Sequence, residues 1–126
     1  MRGVSYWFFL MAAVYVTAGM AFGIWMSATG DHSLGPVHGH LNLIGWVSMA
    51  IFGIYYHLVP RAGESVIAKV HFAVATLGLW ILVPGIGLAI RGETEALAKA
   101  GSLITIIGML IFVVVVLLNR PSGARA

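Results

Sequence analysis

Residues 6–27 read YWFFLMAAVYVTAGMAFGIWMS, a run without any charged side chain. A helix crosses the hydrocarbon core of a bilayer with about 20 consecutive apolar residues, so this run predicts a transmembrane helix. It is also longer than the apolar core of a signal peptide, which has roughly 7–15 residues. We therefore expect the run to remain in the protein as a membrane span.

Three further apolar runs of similar length follow, at Val37–Val59, Val66–Ile90 and Leu97–Leu118. Turn-forming and charged residues fill the segments between the runs, as expected of loops outside the hydrocarbon. Hydrophobic residues make up 60% of the chain and charged residues only 9%, whereas a soluble domain carries roughly a quarter charged residues. The sequence predicts one domain over residues 1–126, an all-α membrane protein whose four transmembrane helices form an antiparallel up-down bundle.

The composition also argues against several kinds of site and partner. The chain has no cysteine, which removes disulfides, thiolate metal sites, iron–sulfur clusters and covalently attached haem. The net charge of +3 is spread over short segments between the spans, so we expect no nucleic-acid partner. None of the four runs contains Asp or Glu, and a proton-coupled drug exporter of this size needs such a residue within the membrane.

The distribution of Lys and Arg predicts the orientation of the spans. Two basic residues, Arg91 and Lys99, lie on one side of the predicted bundle. The side with the two termini and the second loop carries five, which are Arg2, Arg61, Lys69, Arg120 and Arg125. Because basic residues concentrate in cytoplasmic loops, we expect both termini in the cytoplasm, in a bacterial-type inner membrane.

The five histidines are the first candidates for function, because histidine within a span is costly unless it is paired or ligated. His32 lies in the first loop, where solvation explains it. His57 and His71 lie near the ends of the second and third spans, at similar depth on neighbouring helices. They either meet or lie at the membrane interface. We favour the interface, because both are within about one turn of a helix end.

His38 and His40 differ from the others because they enter the second span. If the helix starts at Pro36, His40 lies about 6 Å inside it at 1.5 Å per residue. Two positions rotate a side chain by about 200°, so the two imidazoles point to nearly opposite faces and cannot chelate one metal from a single helix. They serve two different sites, link the protein to a neighbouring subunit, or are helix-end histidines hydrated by water.

The two faces of this helix can be followed along the sequence. The face of His40 continues through Leu43, Ile44, Val47 and Ile51, and that of His38 continues through Asn42, Gly45, Met49 and Phe52. Earlier in the chain, Gly19 and Gly23 form a small-xxx-small pair, which suits close approach of another helix.

Residues 38–62, HGHLNLIGWVSMAIFGIYYHLVPRA, resemble the second helix of subunit I of the haem-copper oxidases, the family of cytochrome c oxidase and nitric oxide reductase. That helix has a His-x-Asn start and a Tyr-Tyr, then Pro, ending. The corresponding residues here are His40, Asn42, Tyr55, Tyr56 and Pro60. The resemblance implies that His40 is an axial ligand of a haem. The pair His38 and His40 also resembles the His-x-His of the family's tenth helix, which ligates two haems, and this implies an iron-binding role for His38.

Haem b also fits the chemistry of the chain. A haem pocket is dry and apolar and uses neutral imidazole as a ligand, and helix bundles commonly hold cofactors between facing helices. Asn42 and Trp46 share the helix of His38 and His40. We therefore expect these four residues to form the cofactor site.

The chain also departs from the family that it resembles. Subunit I has twelve helices, and the end of the third span here, LWILVPGIG at residues 79–87, has no histidine for a second metal. We therefore expect no oxygen- or nitric-oxide-reducing centre in the isolated chain, and whether it is an enzyme stays open. The resemblance implies a short, haem-b-binding membrane protein that transfers electrons with a redox partner or binds O2 or NO. The alternative is a cofactor-free assembly or structural subunit of a respiratory complex.

The placement of the histidines predicts a homo-oligomer. Because His38 and His40 diverge, and His57 and His71 lie near the opposite membrane face, a second ligand at the depth of His40 comes from another copy under closed symmetry. The family's helices form three pseudo-equivalent arcs of four, so the resemblance implies a trimer. A dimer with haem between two His40 side chains is the second choice.

Overall fold

The computed structural model of the chain describes residues 1–120. Its helices are α1 (Gly3–Thr29), α2 (Gly35–Leu58), the one-turn α3 (Pro60–Gly63), α4 (Val66–Ile90) and α5 (Ala96–Leu118). All except α3 are long and apolar enough to cross a membrane. The predicted four-helix membrane bundle is confirmed, and the chain is a multi-pass membrane protein. Arg125, one of the five basic residues counted with the termini, lies outside the described residues.

The ends of the helices lie close to their predicted positions. The largest shift is at the start of α1, which was predicted at Tyr6 and begins at Gly3. Pro60 does not end α2 directly, because α2 ends at Leu58 and Pro60 begins α3. Proline suits the first turn of a helix, where its missing N–H would have no partner.

The hydrogen bonding of α2 changes along its length. The helix is α-helical over Gly35–His40, π-helical over Leu41–Ser48, and α-helical again over Met49–Leu58. A side-chain hydrogen bond has the same spacing of five residues, because the Ser48 hydroxyl donates to the carbonyl of Leu43 at 2.9 Å. Segments of π-helix are rare and frequently occur at functional sites. This one begins directly after His40.

Glycine residues bring α4 and α5 into backbone contact. A Cβ atom at Gly85 would lie 2.5 Å from the amide nitrogen of Ala98, and one at Gly101 would lie 2.5 Å from Cα of Leu82. No side chain fits at such distances. The two helices therefore approach through small residues, as helices in membranes commonly do, and form an antiparallel hairpin.

The two faces of α2 differ in burial, although Ile44 on the His40 side is half-buried. On the His38 side, Gly45, Met49 and Phe52 are buried; on the His40 side, Leu43, Val47 and Ile51 are exposed. The buried face packs mainly on α1, where a Cβ at Gly45 would meet Tyr15 at 3.1 Å. No part of residues 1–120 covers the exposed face, so its apolar side chains are open to lipid or to another protein.

Candidate functional site

His38 and Asn42 are half-buried against α1, where two glycines make room for them. A Cβ at Gly23 would lie 3.1 Å from Cε1 of His38, and one at Gly19 would overlap the Asn42 side-chain oxygen. The Asn42 side-chain nitrogen donates to the carbonyl of His38 at 2.8 Å and lies 3.3 Å from His38 Nε2. The small-xxx-small pair therefore holds two polar side chains of α2.

His40 is exposed on the opposite face of α2, and its ring has a defined orientation. Its Nδ1 lies 2.8 Å from the carbonyl oxygen of Pro36, one turn earlier. A carbonyl only accepts hydrogen bonds, so Nδ1 is the donor and carries the ring proton. In the neutral ring, Nε2 then has a free lone pair on an exposed side chain. Metal-ligating histidines use this arrangement, in which one ring nitrogen donates to a carbonyl and the other binds the metal.

Trp46 lies on the same side of α2 as Asn42 rather than beside His40. Its half-buried ring packs edge-on to Phe9 of α1, with the ring centroids 6.4 Å apart. The four predicted site residues therefore divide into two groups. His38, Asn42 and Trp46 belong to the contact between α1 and α2, whereas His40 lies on the outer surface.

The loop before α2 carries His32 and is ordered by local hydrogen bonds. His32 is exposed, and its Nδ1 lies 3.1 Å from the carbonyl oxygen of Gly30. The Ser33 backbone N–H donates to the Asp31 carboxylate at 2.9 Å, and this bond holds the pKa of that carboxyl below its ordinary value. His32 is therefore a loop residue in contact with solvent, as expected.

His71 is completely buried in an aromatic cluster, a position that the sequence analysis missed. The centroid of its ring lies 4.6 Å from that of Phe52, 5.1 Å from that of Phe8 and 5.5 Å from that of Phe112. A hydrogen bond of 2.9 Å joins its Nδ1 to the hydroxyl of Tyr56. The rings surrounding His71 provide no counter-charge, so the imidazole is neutral in this setting.

The interfacial interpretation is therefore wrong for His71. Its helix face explains the burial, because Ala68 and Gly78 on the same side of α4 are also buried and let α4 pack inward. The helical period places these three residues on one side of α4, whereas the interfacial prediction considered only the distance of His71 from the helix end. His57 is exposed in the last turn of α2, so its neighbour Tyr56, rather than His57, reaches His71.

Replacing Tyr56 with phenylalanine tests the buried hydrogen bond to His71. The change leaves the ring packing in place and leaves Nδ1 of His71 without its partner. We expect the free energy of unfolding to fall by about 1–2 kcal/mol, the cost of an unsatisfied buried polar group. Unfolding in mixed detergent micelles measures this loss of stability.

Tyr55→Phe is the control, because the half-buried Tyr55 ring packs on Phe112 at 5.2 Å and its hydroxyl makes no hydrogen bond within residues 1–120. Equal losses in both variants would contradict the assigned role.

The arrangement gives two separate histidine environments at opposite ends of the bundle. Within residues 1–120, no three His, Cys, Asp or Glu side chains come together as a metal site. His71 is enclosed by aromatic rings in the core, whereas His40 has a free ring nitrogen on an exposed apolar face.

No protein-family model, curated protein or solved structure matches the chain. The likeness of residues 38–62 to haem-copper oxidase subunit I stays a prediction from the sequence.

Proposed function

We propose that this multi-pass membrane protein binds haem b through His40 and acts in electron transfer or in binding a diatomic gas, O2 or NO. The observation that supports this function is the state of His40. Its Nδ1 proton is donated to Pro36, and its Nε2 is free on the outward face of a membrane helix. Bound haem would supply one-electron exchange at iron or an open position for the gas.

The surface around His40 fits a flat apolar cofactor. Leu43 and Val47, which lie on the same face of α2, are exposed by 64% and 41%. These side chains provide one apolar wall beside the imidazole. An exposed neutral imidazole in a membrane is costly without a partner, and iron is a partner that satisfies its lone pair.

The second wall and the second axial ligand come from another copy of the chain in this proposal. His38 is turned toward α1, and His71 lies in the core at the other end of the bundle. Neither reaches the outer face where His40 lies. A homo-oligomer with His40 at its contacts supplies a matching imidazole at the same depth. The resemblance to the oxidase family favours three copies, and a dimer needs only two His40 side chains.

Native mass spectrometry of the purified protein tests the shared site. We expect an oligomer that carries haem, with a trimer as the favoured mass. His38→Ala is informative in the same experiment, because loss of haem or an altered spectrum would show that His38 contributes to the site, as a ligand or through its packing on Gly23 of α1. An unchanged spectrum of His38→Ala together with a dimer mass would indicate that the haem is ligated by the His40 side chains of the two copies and not by His38. A haem-loaded monomer would show that copies do not share the site.

The proposed location is a bacterial-type inner membrane with both termini in the cytoplasm. The excess of Lys and Arg on the terminal side supports this orientation. Reporter fusions after Ala126 are expected to be active in the cytoplasm only, and fusions at Gly92, in the loop between α4 and α5, in the periplasm only. The opposite pattern would reverse the topology and move His40 to the cytoplasmic half of the membrane.

A cofactor-free assembly or structural subunit of a respiratory complex is the second candidate. The observation that favours it is His71, a histidine that serves packing and one hydrogen bond alone. A purified protein without a Soret band, from cells that synthesise haem, would select this candidate over the first.

A further inference from the structure

A cavity of about 650 Å³ lies at the end of the bundle that carries the two termini. Its walls come from the start of α1, the end of α2, α3 and the first turn of α4. The charged residues that line it are Arg2, Glu64 and Lys69, and His57 is also part of the wall. Charged side chains therefore line part of the cavity, at the level where the membrane-spanning helices begin and end.

The charges of this cavity favour an anion. Arg2 and Lys69 are exposed cations, and within residues 1–120 the only ion pair of the chain joins Lys99 to Glu95 at the other end of the bundle. Glu64, the one acidic residue in the wall, thus neutralises neither cation by direct contact. The N-terminus of α1, with the positive end of its helix dipole, lines the cavity and has no acidic residue in its first turn, whereas α2 ends at the cavity with the negative end of its dipole.

The depth of the cavity corresponds to the headgroup layer of a bilayer. Tyr6 and Trp7, in the second turn of α1, are exposed by 47% and 52%, and aromatic residues of this kind mark the membrane–water interface. Leu58 and Val66 flank the segment that forms the wall and are exposed by 72% and 73%. An apolar surface for acyl chains therefore borders a cationic space for a phosphate.

We propose that this cavity binds the phosphate group of an anionic phospholipid, with Arg2 and Lys69 as its counter-charges. Basic pockets between membrane helices recognise anionic headgroups in this way. The site is independent of the proposed haem function, because it lies at the opposite end of α2 from His40. A protein with this site would associate preferentially with membranes, or regions of a membrane, that are rich in acidic lipids.

Lipid retention by the full chain in a zwitterionic detergent tests the site. Native mass spectrometry and thermal unfolding are carried out with phosphatidylglycerol, with phosphatidylcholine of the same acyl chains, and with inorganic phosphate. We expect bound phosphatidylglycerol and a raised Tm with that lipid alone. Equal retention of phosphatidylcholine would overturn the proposal. So would protection by inorganic phosphate equal to that by phosphatidylglycerol, since the site would then belong to a free anion.

The variant Arg2→Gln/Lys69→Gln identifies the cavity as the binding place. Each basic contact at a membrane surface contributes about fivefold in affinity, so the pair is expected to weaken retention of phosphatidylglycerol about 25-fold. The matched control, Arg91→Gln/Lys99→Gln, removes two positive charges at the other end of the bundle and is expected to retain the lipid. Equal losses in the two variants would show a general effect of charge and overturn the site. Lys69→Gln alone, with circular dichroism as a check of helix content, provides the same comparison if the double variant does not fold.

Discussion

Replacing His40 with alanine is expected to abolish most of the Soret absorbance of the purified protein while the chain still inserts into the membrane. His40 is the exposed imidazole of α2 whose orientation is fixed, because its Nδ1 donates to the carbonyl of Pro36 and leaves Nε2 free. In the proposed site, its removal would take away the side chain that holds the haem iron and would leave an apolar surface without a ligand for it. The side chain makes few contacts within its own copy, so the helix content and the free energy of unfolding of the apoprotein should change little.

The matched control is His32→Ala. His32 has a similar local hydrogen bond, to Gly30 at 3.1 Å, but lies in the loop outside the span. We expect its replacement to leave the haem spectrum unchanged. Full haem content in His40→Ala would remove His40 from the site. Loss of haem in both variants would indicate that the loop, rather than the iron ligand, determines binding.

A larger structural effect is expected from Gly101→Ala. The added Cβ would lie 2.5 Å from both Cα and the amide nitrogen of Leu82, so α5 can accept it only by moving away from α4. Overpacking of this kind costs typically 1–3 kcal/mol, and contact with backbone rather than a flexible side chain places this site near the upper limit, at about 3 kcal/mol. Unfolding in mixed detergent micelles, by circular dichroism, measures the loss.

Gly108→Ala, about two turns further along the same helix, provides the control. Its Cβ would lie 3.6 Å from Cα of Ala75, an ordinary van der Waals contact. Alanine also has a better helix propensity than glycine, by up to about 1 kcal/mol, so this variant should be neutral or slightly stabilised. Similar losses at both positions would show that the close packing of α4 on α5 is not the cause.

The membrane-spanning helices and the faces of α2 could be predicted from the sequence because both depend on local apolarity. Apolar runs define the spans to within a few residues, and the helical period separates the face of Gly45, Met49 and Phe52 from the face of His40. These properties follow from the period of the helix and from the cost of charge in a membrane, and they need no knowledge of the neighbouring helix.

The environments of His38 and His71 could not be predicted in this way, because they depend on which helix lies opposite. Gly23 indicated a close approach, but the identity of its neighbour, His38, depends on the register of α1 against α2. The aromatic rings around His71 come from α1, α2 and α5. The π-helical segment Leu41–Ser48 has no sequence signal that distinguishes a bond to the fifth residue from one to the fourth.

The glycine pair of α1 affects the orientation of His40, although it does not contact that residue. Gly19 and Gly23 accept Asn42 and His38, and in doing so they fix the rotation of α2 about its own axis. That rotation determines the direction in which the His40 side chain points on the outer surface. A bulkier side chain at Gly19 or Gly23 would turn α2 about its axis and change the direction of the imidazole, although the sequence of α2 would be the same. The direction in which the His40 side chain points is thus determined by residues of a different helix.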